Sequence, residues 1–162
     1  GIWLVASSPL SFRKMLLIKY LFYLATAVAV IELLLISASF IISIERSLYF
    51  VMPVIGLFVA AALVSINLGL GARFPQFNED NPSRIAAGTG GIITALVSIA
   101  YVGVSIILLA TPAYNYLSHT FMDRPVNHFL FYAGFVLFAA FNVCAILLPL
   151  RIGIRSMERR DL

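Results

Sequence analysis

The residues able to do chemistry in this 162-residue chain are few, and the most informative one lies inside a long apolar stretch. Glu32 stands near the middle of the first such stretch, where an ionised carboxylate inside a bilayer costs at least ~2.5–3.5 kcal/mol. Ala25, Ala29 and Ser39 share its helical face, so we expect that face to point toward protein rather than lipid. Two interpretations follow. Glu32 is a protonated structural residue hydrogen-bonded to a neighbouring helix, or it is a polar element of a transport path or a coupled proton site.

The other polar side chains at this depth are uncharged. Ser98 and Tyr101 lie in the third apolar stretch and Asn142 lies in the fourth, at a depth similar to that of Glu32. We therefore predict an intramembrane polar path formed by Glu32, Ser98, Tyr101 and Asn142. Asn67, nearer one end of the second stretch, is a weaker candidate.

The sequence lacks the common signatures of enzyme chemistry. It contains no HExxH, CxxC or GxSxG motif, so metalloprotease, dithiol and serine-hydrolase chemistry have no support. The glycine-rich AAGTGG stretch is not followed by Gly-Lys-Ser/Thr, so it does not form a phosphate-binding loop. Cys144 is the single cysteine, and His119 and His128 fit ordinary loop histidines better than metal ligands. We predict no catalytic residue, no metal site and no cofactor bound by this chain.

Composition determines the expected architecture. The chain is 62% hydrophobic and 11% charged, whereas soluble domains carry about 25% charged residues. Four apolar runs exceed the roughly 20 residues that a helix needs to cross a bilayer, where backbone groups must be satisfied within the segment. The predicted spans are 15–44, 48–70, 85–110 and 129–150. The expected fold class is an all-α integral membrane protein, with four transmembrane helices in one domain over residues 1–162.

The basic residues are divided unevenly between the two sides of this arrangement. Nine lie in the N-terminal region up to Lys19, in the 71–84 loop or in the 151–162 tail, and only Arg46 and Arg124 lie on the other side. The positive-inside tendency therefore predicts cytoplasmic termini, a cytosolic 71–84 loop and an external 111–128 loop with a short interfacial helix. Topology and attraction to anionic membrane lipid explain the net charge of +4, and no nucleic acid is needed.

Small residues recur at steps of three and four in the second and third spans. Gly88, Gly91 and Ala95 share one face of the third span, and Gly56 begins a similar series in the second. Small side chains allow helices to approach closely in lipid. These four residues are therefore predicted helix-packing positions in a compact bundle.

One polar stretch, FPQFNEDNPSR (74–84), interrupts the apolar sequence. Its turn formers and the helix start at Asn81-Pro82 fit a simple reversing loop. It also contains Phe74 and Phe77, two aromatic residues with nothing nearby in the sequence to cover them. These rings predict a docking surface for a partner, and anchoring at the membrane interface is the rival interpretation.

Three stretches resemble the permeases of bacterial ATP-binding cassette (ABC) exporters: WLVASSPLSFRKMLLIKYLF, GLGARFPQFNEDNPSRIAAGTGG and LPLRIGIRSMERRDL. The resemblance implies that the four spans are the last four of a six-helix permease bundle. It also implies that the chain is the C-terminal part of a longer protein, and that two permease copies form a dimer.

The resemblance further implies a partner on the cytosolic side. Residues 1–14 would be a coupling segment that, with the 71–84 loop, docks a separate cytosolic ATPase that binds ATP and Mg²⁺. The implied docking residues are Trp3, Ser8, Pro9, Arg13, Phe74, Phe77, Glu79, Asp80 and Arg84. The expected function is the permease of an ATP-driven exporter in a bacterial inner membrane, moving an unidentified substrate. The alternative is a non-transporting four-helix scaffold or accessory subunit of a membrane complex.

Overall fold

The computed structural model describes residues 12–41, 48–74, 87–122, 125 and 127–158. They form four helices in sequence: α1 (Phe12–Ile41), α2 (Leu48–Arg73), α3 (Thr89–Met122) and α4 (His128–Glu158). These described residues contain no strand. All four helices are long and apolar enough to cross a membrane, with mean hydropathy between 2.3 and 2.6. The predicted all-α architecture of four long apolar helices is thus confirmed, while the orientation of the termini stays a prediction.

Local signals determine where two of the helices begin and end. At the start of α4, the backbone N–H of Leu130 donates to the side-chain Oδ1 of Asn127 at 3.2 Å. The backbone N–H of Phe131 donates to the carbonyl of Asn127 at 3.0 Å. An asparagine in this position satisfies backbone donors that the helix leaves unpaired. At the end of α2, Phe74 still donates to the Leu70 carbonyl at 3.1 Å. Pro75 then disfavours helical geometry for the residue before it, so the helix stops.

Helix α3 extends beyond the span predicted from hydropathy. The sequence predicts an external loop from residue 111, but α3 continues to Met122 with Pro112 inside it. Pro112 is fully buried and cannot donate to the carbonyl of Leu108. Gly134 of α4 packs on it, since a Cβ at Gly134 would lie 2.5 Å from Pro112 Cδ. Helix α4 therefore packs closely on Pro112, and α3 continues past this proline.

Helix α2 forms the centre of the bundle. It contacts all three other helices, as α4 also does, whereas α1 and α3 do not contact each other over the residues described. In the most apolar segment of α2, 39% of the residues are buried, whereas only 6% are buried in the corresponding segment of α1. Helix α1 is therefore peripheral, and most of its apolar surface faces outward. The core consists of Ala62, Ile66 and Tyr101, with Val59, Leu63, Leu70, Phe141, Ala145 and Ile146 packed around them.

Helices α2 and α4 run in the same direction and approach most closely near Arg73 and Arg151. A side chain at Gly69 would overlap the carbonyl of Pro149, so only glycine fits this contact. Toward the other end, the rings of Phe58 and Phe138 meet edge to face, with centroids 6.5 Å apart. The backbones are therefore in contact at one end and separated by aromatic rings at the other.

Candidate functional site

A pair of polar side chains lies in the bundle interior, between α3 and α4. The hydroxyl of Tyr101 donates to Oδ1 of Asn142 at 2.6 Å, and Nδ2 of Asn142 donates to the Phe138 carbonyl at 2.8 Å. The Asn142 side chain is completely buried and Tyr101 is 4% exposed. Hydrogen bonds between membrane helices contribute about 0.6 kcal/mol on average and at most ~1.7 kcal/mol. The pair thus joins α3 to α4 with modest energy and a defined geometry.

The ring of Tyr101 is held on two sides. It stacks on Phe141 of α4, with centroids 5.6 Å apart and an interplanar angle of 11°. It also belongs to the same core cluster as Ala62 and Ile66 of α2. Because the ring is fixed by apolar contacts, its hydroxyl is directed at Asn142.

Tyr101 is the middle member of a polar stripe along α3. Ser98, Tyr101 and Ser105 follow each other at spacings of three and four residues, which places them on one helical face. Ser98 Oγ accepts from Nδ2 of Asn67 on α2 at 3.5 Å. Ser105 is 4% exposed, and its hydroxyl lies near that of Tyr101 but makes no hydrogen bond of ordinary length to a described residue. The stripe on α3 is therefore bonded to Asn67 of α2 and to Asn142 of α4.

Glu32 lies apart from this stripe, on the interface between α1 and α2. It is half-buried, and a Cβ on Gly56 would lie 3.1 Å from its Oε1. Since α1 does not contact α3 over the residues described, Glu32 is not a neighbour of Ser98 or Tyr101. Of the four predicted path residues, the structure joins Tyr101 to Asn142, places Ser98 one turn away and leaves Glu32 at a different interface. Their role in transport stays a prediction.

The sequence gives only a weak signal for two further polar residues, Asn67 on α2 and Ser105 on the stripe. Asn67, the weaker candidate, bonds both Ser98 and the Leu63 carbonyl, the latter at 2.8 Å. Ser105 reads in the sequence as one more small packing residue. Its position four residues after Tyr101 and seven after Ser98 is the signal that would have identified it.

The predicted packing positions differ in their surroundings. Gly56 is buried against Ile31 and Leu35 of α1. Gly88 and Gly91 are half-buried, and Ala95 is exposed. The buried glycine at the start of α3 is instead Gly90, where a Cβ would lie 2.7 Å from that of Phe74.

Phe74 and Arg13 are the predicted docking residues that the structure describes. Phe74 is 38% exposed, packs on Gly90 and lies beneath the Arg73 guanidinium, 5.8 Å from its ring centroid. The ring is thus partly covered by its own chain, unlike the bare ring that the sequence indicates. Arg13 is exposed near the start of α1. The other docking residues, Trp3, Ser8, Pro9, Phe77, Glu79, Asp80 and Arg84, lie outside the described residues.

A family model, rather than any individual protein, shows the family of this chain. No curated protein and no solved structure matches it. A family model described as "Putative ATP-binding cassette" matches residues 1–162. The description names an ATP-binding part rather than a membrane part, so it provides a link to ABC transporters without specifying a permease. Because the match covers every residue, the chain belongs to this ATP-binding cassette family.

Proposed function

We propose that the chain is the membrane permease component of an ATP-driven ABC exporter, with ATP hydrolysed by a separate subunit. The observation that carries the proposal is that a member of an ATP-binding cassette family consists of four long apolar helices. Its 162 residues contain no Gly-Lys-Ser/Thr sequence for a phosphate-binding loop. An ATP-driven transporter needs both an ATPase and a membrane passage, and a chain of this composition suits the second role.

The polar stripe supports a passage inside the bundle. Polar groups in a membrane interior are costly, and where they face other helices they commonly mark substrate pathways. Tyr101, Ser105 and Asn142 are buried between helices in this way, and the half-buried Ser98 continues the stripe to the exposed Asn67 of α2, which donates to it. A substrate that carries hydrogen-bonding groups would find partners along α3. In this proposal the stripe lines the path, and Glu32 stabilises the α1–α2 interface.

The contact between Phe74 and Gly90 supports coupling to a cytosolic ATPase. It connects the residue that follows α2 directly to the first turn of α3, and residues 75–86 of the chain lie between these two points. Pressure on the 71–84 loop would therefore shift α3 at its first turn. Ser98 lies eight residues further along the same helix, about 12 Å away. Movement at the loop would thus reach the polar stripe through one rigid helix.

The proposal is tested by isolating the full-length protein from bacterial inner membranes under mild conditions. We expect a P-loop ATPase and a second copy of the permease to co-purify. We also expect the chain expressed alone to hydrolyse no ATP, and Asn142→Leu to lower the substrate-stimulated ATPase activity of the complex in vesicles. A native complex without an ATPase would favour the scaffold alternative. ATP hydrolysis by the purified chain itself would overturn the division of roles.

A further inference from the structure

Two adjoining cavities form one groove between α1 and α2. The larger has a volume of 530 Å³ and the smaller 240 Å³, and Asn67 and Leu68 line both of them. The larger cavity is almost entirely apolar and extends to Val30 and Ile31 of α1. The smaller one continues it toward the basic end of the bundle, where Lys19 lines it. We call this continuous feature the α1–α2 groove.

The α1 wall of the groove has a cation at one end and apolar side chains along its length. Lys19, Tyr23, Thr26 and Val30 succeed each other at steps of three and four residues, so they lie on one face of α1. The stem and ammonium group of Lys19 therefore lie in line with the apolar part of the groove. A groove lined in this way is complementary to an amphipathic ligand with a negatively charged head group.

We propose that the α1–α2 groove binds one anionic phospholipid, with the phosphate at Lys19 and an acyl chain along Ala27, Val30 and Val64. The dimensions fit a single leaflet. The distance along α1 from Lys19 to Ile31 is about 18 Å at 1.5 Å per residue. One leaflet of a bilayer with a hydrocarbon core of about 30 Å is about 15 Å deep.

The charge distribution selects an anionic head over a zwitterionic one. Lys14 and Lys19 are exposed on α1 at the basic end of the groove, with Arg73 at the adjacent end of α2. Among side chains that the structure describes, Glu32 is the only carboxylate, and it lies beyond the far end of the groove. Basic side chains near a membrane surface attract anionic lipids over neutral ones, by roughly fivefold for each Lys or Arg.

Lipid quenching of tryptophan fluorescence tests this site in the full-length protein with its native tryptophans replaced by phenylalanine. Tyr23→Trp places a reporter in the groove, and Phe22→Trp is a matched reporter on the neighbouring residue, which is 69% exposed and does not line the groove. The vesicles contain either brominated phosphatidylglycerol or brominated phosphatidylcholine in a phosphatidylcholine background. We expect about a fivefold preference for phosphatidylglycerol at Tyr23→Trp and none at Phe22→Trp.

Two substitutions assign the preference to the groove. Lys19→Gln should abolish it, while Lys14→Gln should leave it in place, because Lys14 does not line either cavity. Equal quenching by the two lipids at Tyr23→Trp, or a preference that survives Lys19→Gln, would overturn the proposal. So would protection from both lipids, which would show that a second copy or another segment of protein covers the groove. If Tyr23→Trp does not insert, native mass spectrometry of phosphatidylglycerol retained by the parent protein and by Lys19→Gln provides the same comparison.

Discussion

The Tyr101 hydroxyl on α3 donates to Oδ1 of Asn142 on α4 at 2.6 Å, with both side chains buried. This bond crosses the interface between α3 and α4, and the buried Ser105 hydroxyl lies one turn further along α3. The bond therefore orients α3 relative to α4 and stands at the centre of the proposed path. The structural role and the proposed role in transport depend on the same two atoms. Measuring both stability and activity of variants distinguishes the two roles.

A double-mutant cycle measures the energy of this bond. Tyr101→Phe and Asn142→Leu, made singly and together, should show a coupling energy of about 0.6–1.7 kcal/mol, because each single change removes one partner. Unfolding by SDS in mixed micelles gives the free energies. Tyr132→Phe, on a ring that is 63% exposed, should show no coupling to Asn142→Leu. Additive effects of Tyr101→Phe and Asn142→Leu would contradict the bond.

The contact between Gly69 and Pro149 makes position 69 intolerant of any side chain. Gly69→Ala should lower the free energy of unfolding by about 1–3 kcal/mol, since its Cβ would overlap the Pro149 carbonyl. Gly71→Ala is the control, because a Cβ there meets nothing within 4 Å. It should be neutral or stabilising by up to ~1 kcal/mol through helix propensity. If thermal unfolding shows the two variants to be equally stable, α4 must move away without cost.

Glu32 is expected to act as a structural residue at the α1–α2 interface. Glu32→Gln should change the free energy of unfolding by less than about 0.5 kcal/mol, because the amide keeps the volume and the hydrogen-bonding groups. The ATPase activity of the reconstituted complex should also be unchanged. Reduced activity with normal insertion would instead favour a role for Glu32 in the transport path or at a coupled proton site. Loss of expression would indicate a buried ion pair.

Phe74 is expected to contribute to binding of the ATPase. Phe74→Ala should weaken association about three- to sevenfold, which corresponds to roughly 0.6–1.1 kcal/mol, because only the 38% of Phe74 that is still exposed can be buried by a partner. Phe129→Ala is the control, since that ring is 80% exposed at the opposite end of the bundle. Unfolding measurements on the same samples separate docking from the loss of the Gly90 contact. A fully active, intact complex would leave Phe74 as a packing or membrane-anchoring residue.

The orientation of the bundle is tested by cysteine labelling after Cys144→Ser. A membrane-impermeant thiol reagent should label Pro125→Cys in intact cells and Gln76→Cys only after lysis. The reason is that nine of the eleven basic residues lie on the side of residue 76. Labelling of residue 76 alone in intact cells would invert the topology.

Hydropathy alone does not predict the residue at which a helix ends. Hydropathy predicts where lipid could surround a helix, whereas backbone hydrogen bonding determines how far the helix continues. Hydropathy predicts that the third span ends at Ala110, whereas α3 continues to Met122. Pro112 lies within it and is covered by Gly134 of α4, which follows later in the chain. That contact has no local signal around residue 112.

The sequence by itself determined the number and type of the helices, because runs of apolar residues longer than a bilayer is thick have no other way to satisfy their backbone. It also placed Ser98, Tyr101 and Asn142 at a common depth, since a helix converts residue number into height at a constant rise. Only the tertiary structure decided which side chains meet. Glu32 has the same predicted depth, but it lies against Gly56, because depth does not determine which helices are neighbours. Lateral neighbours depend on close contacts such as Gly69 with Pro149, which join residues far apart in the chain and are specified by shape rather than by hydropathy.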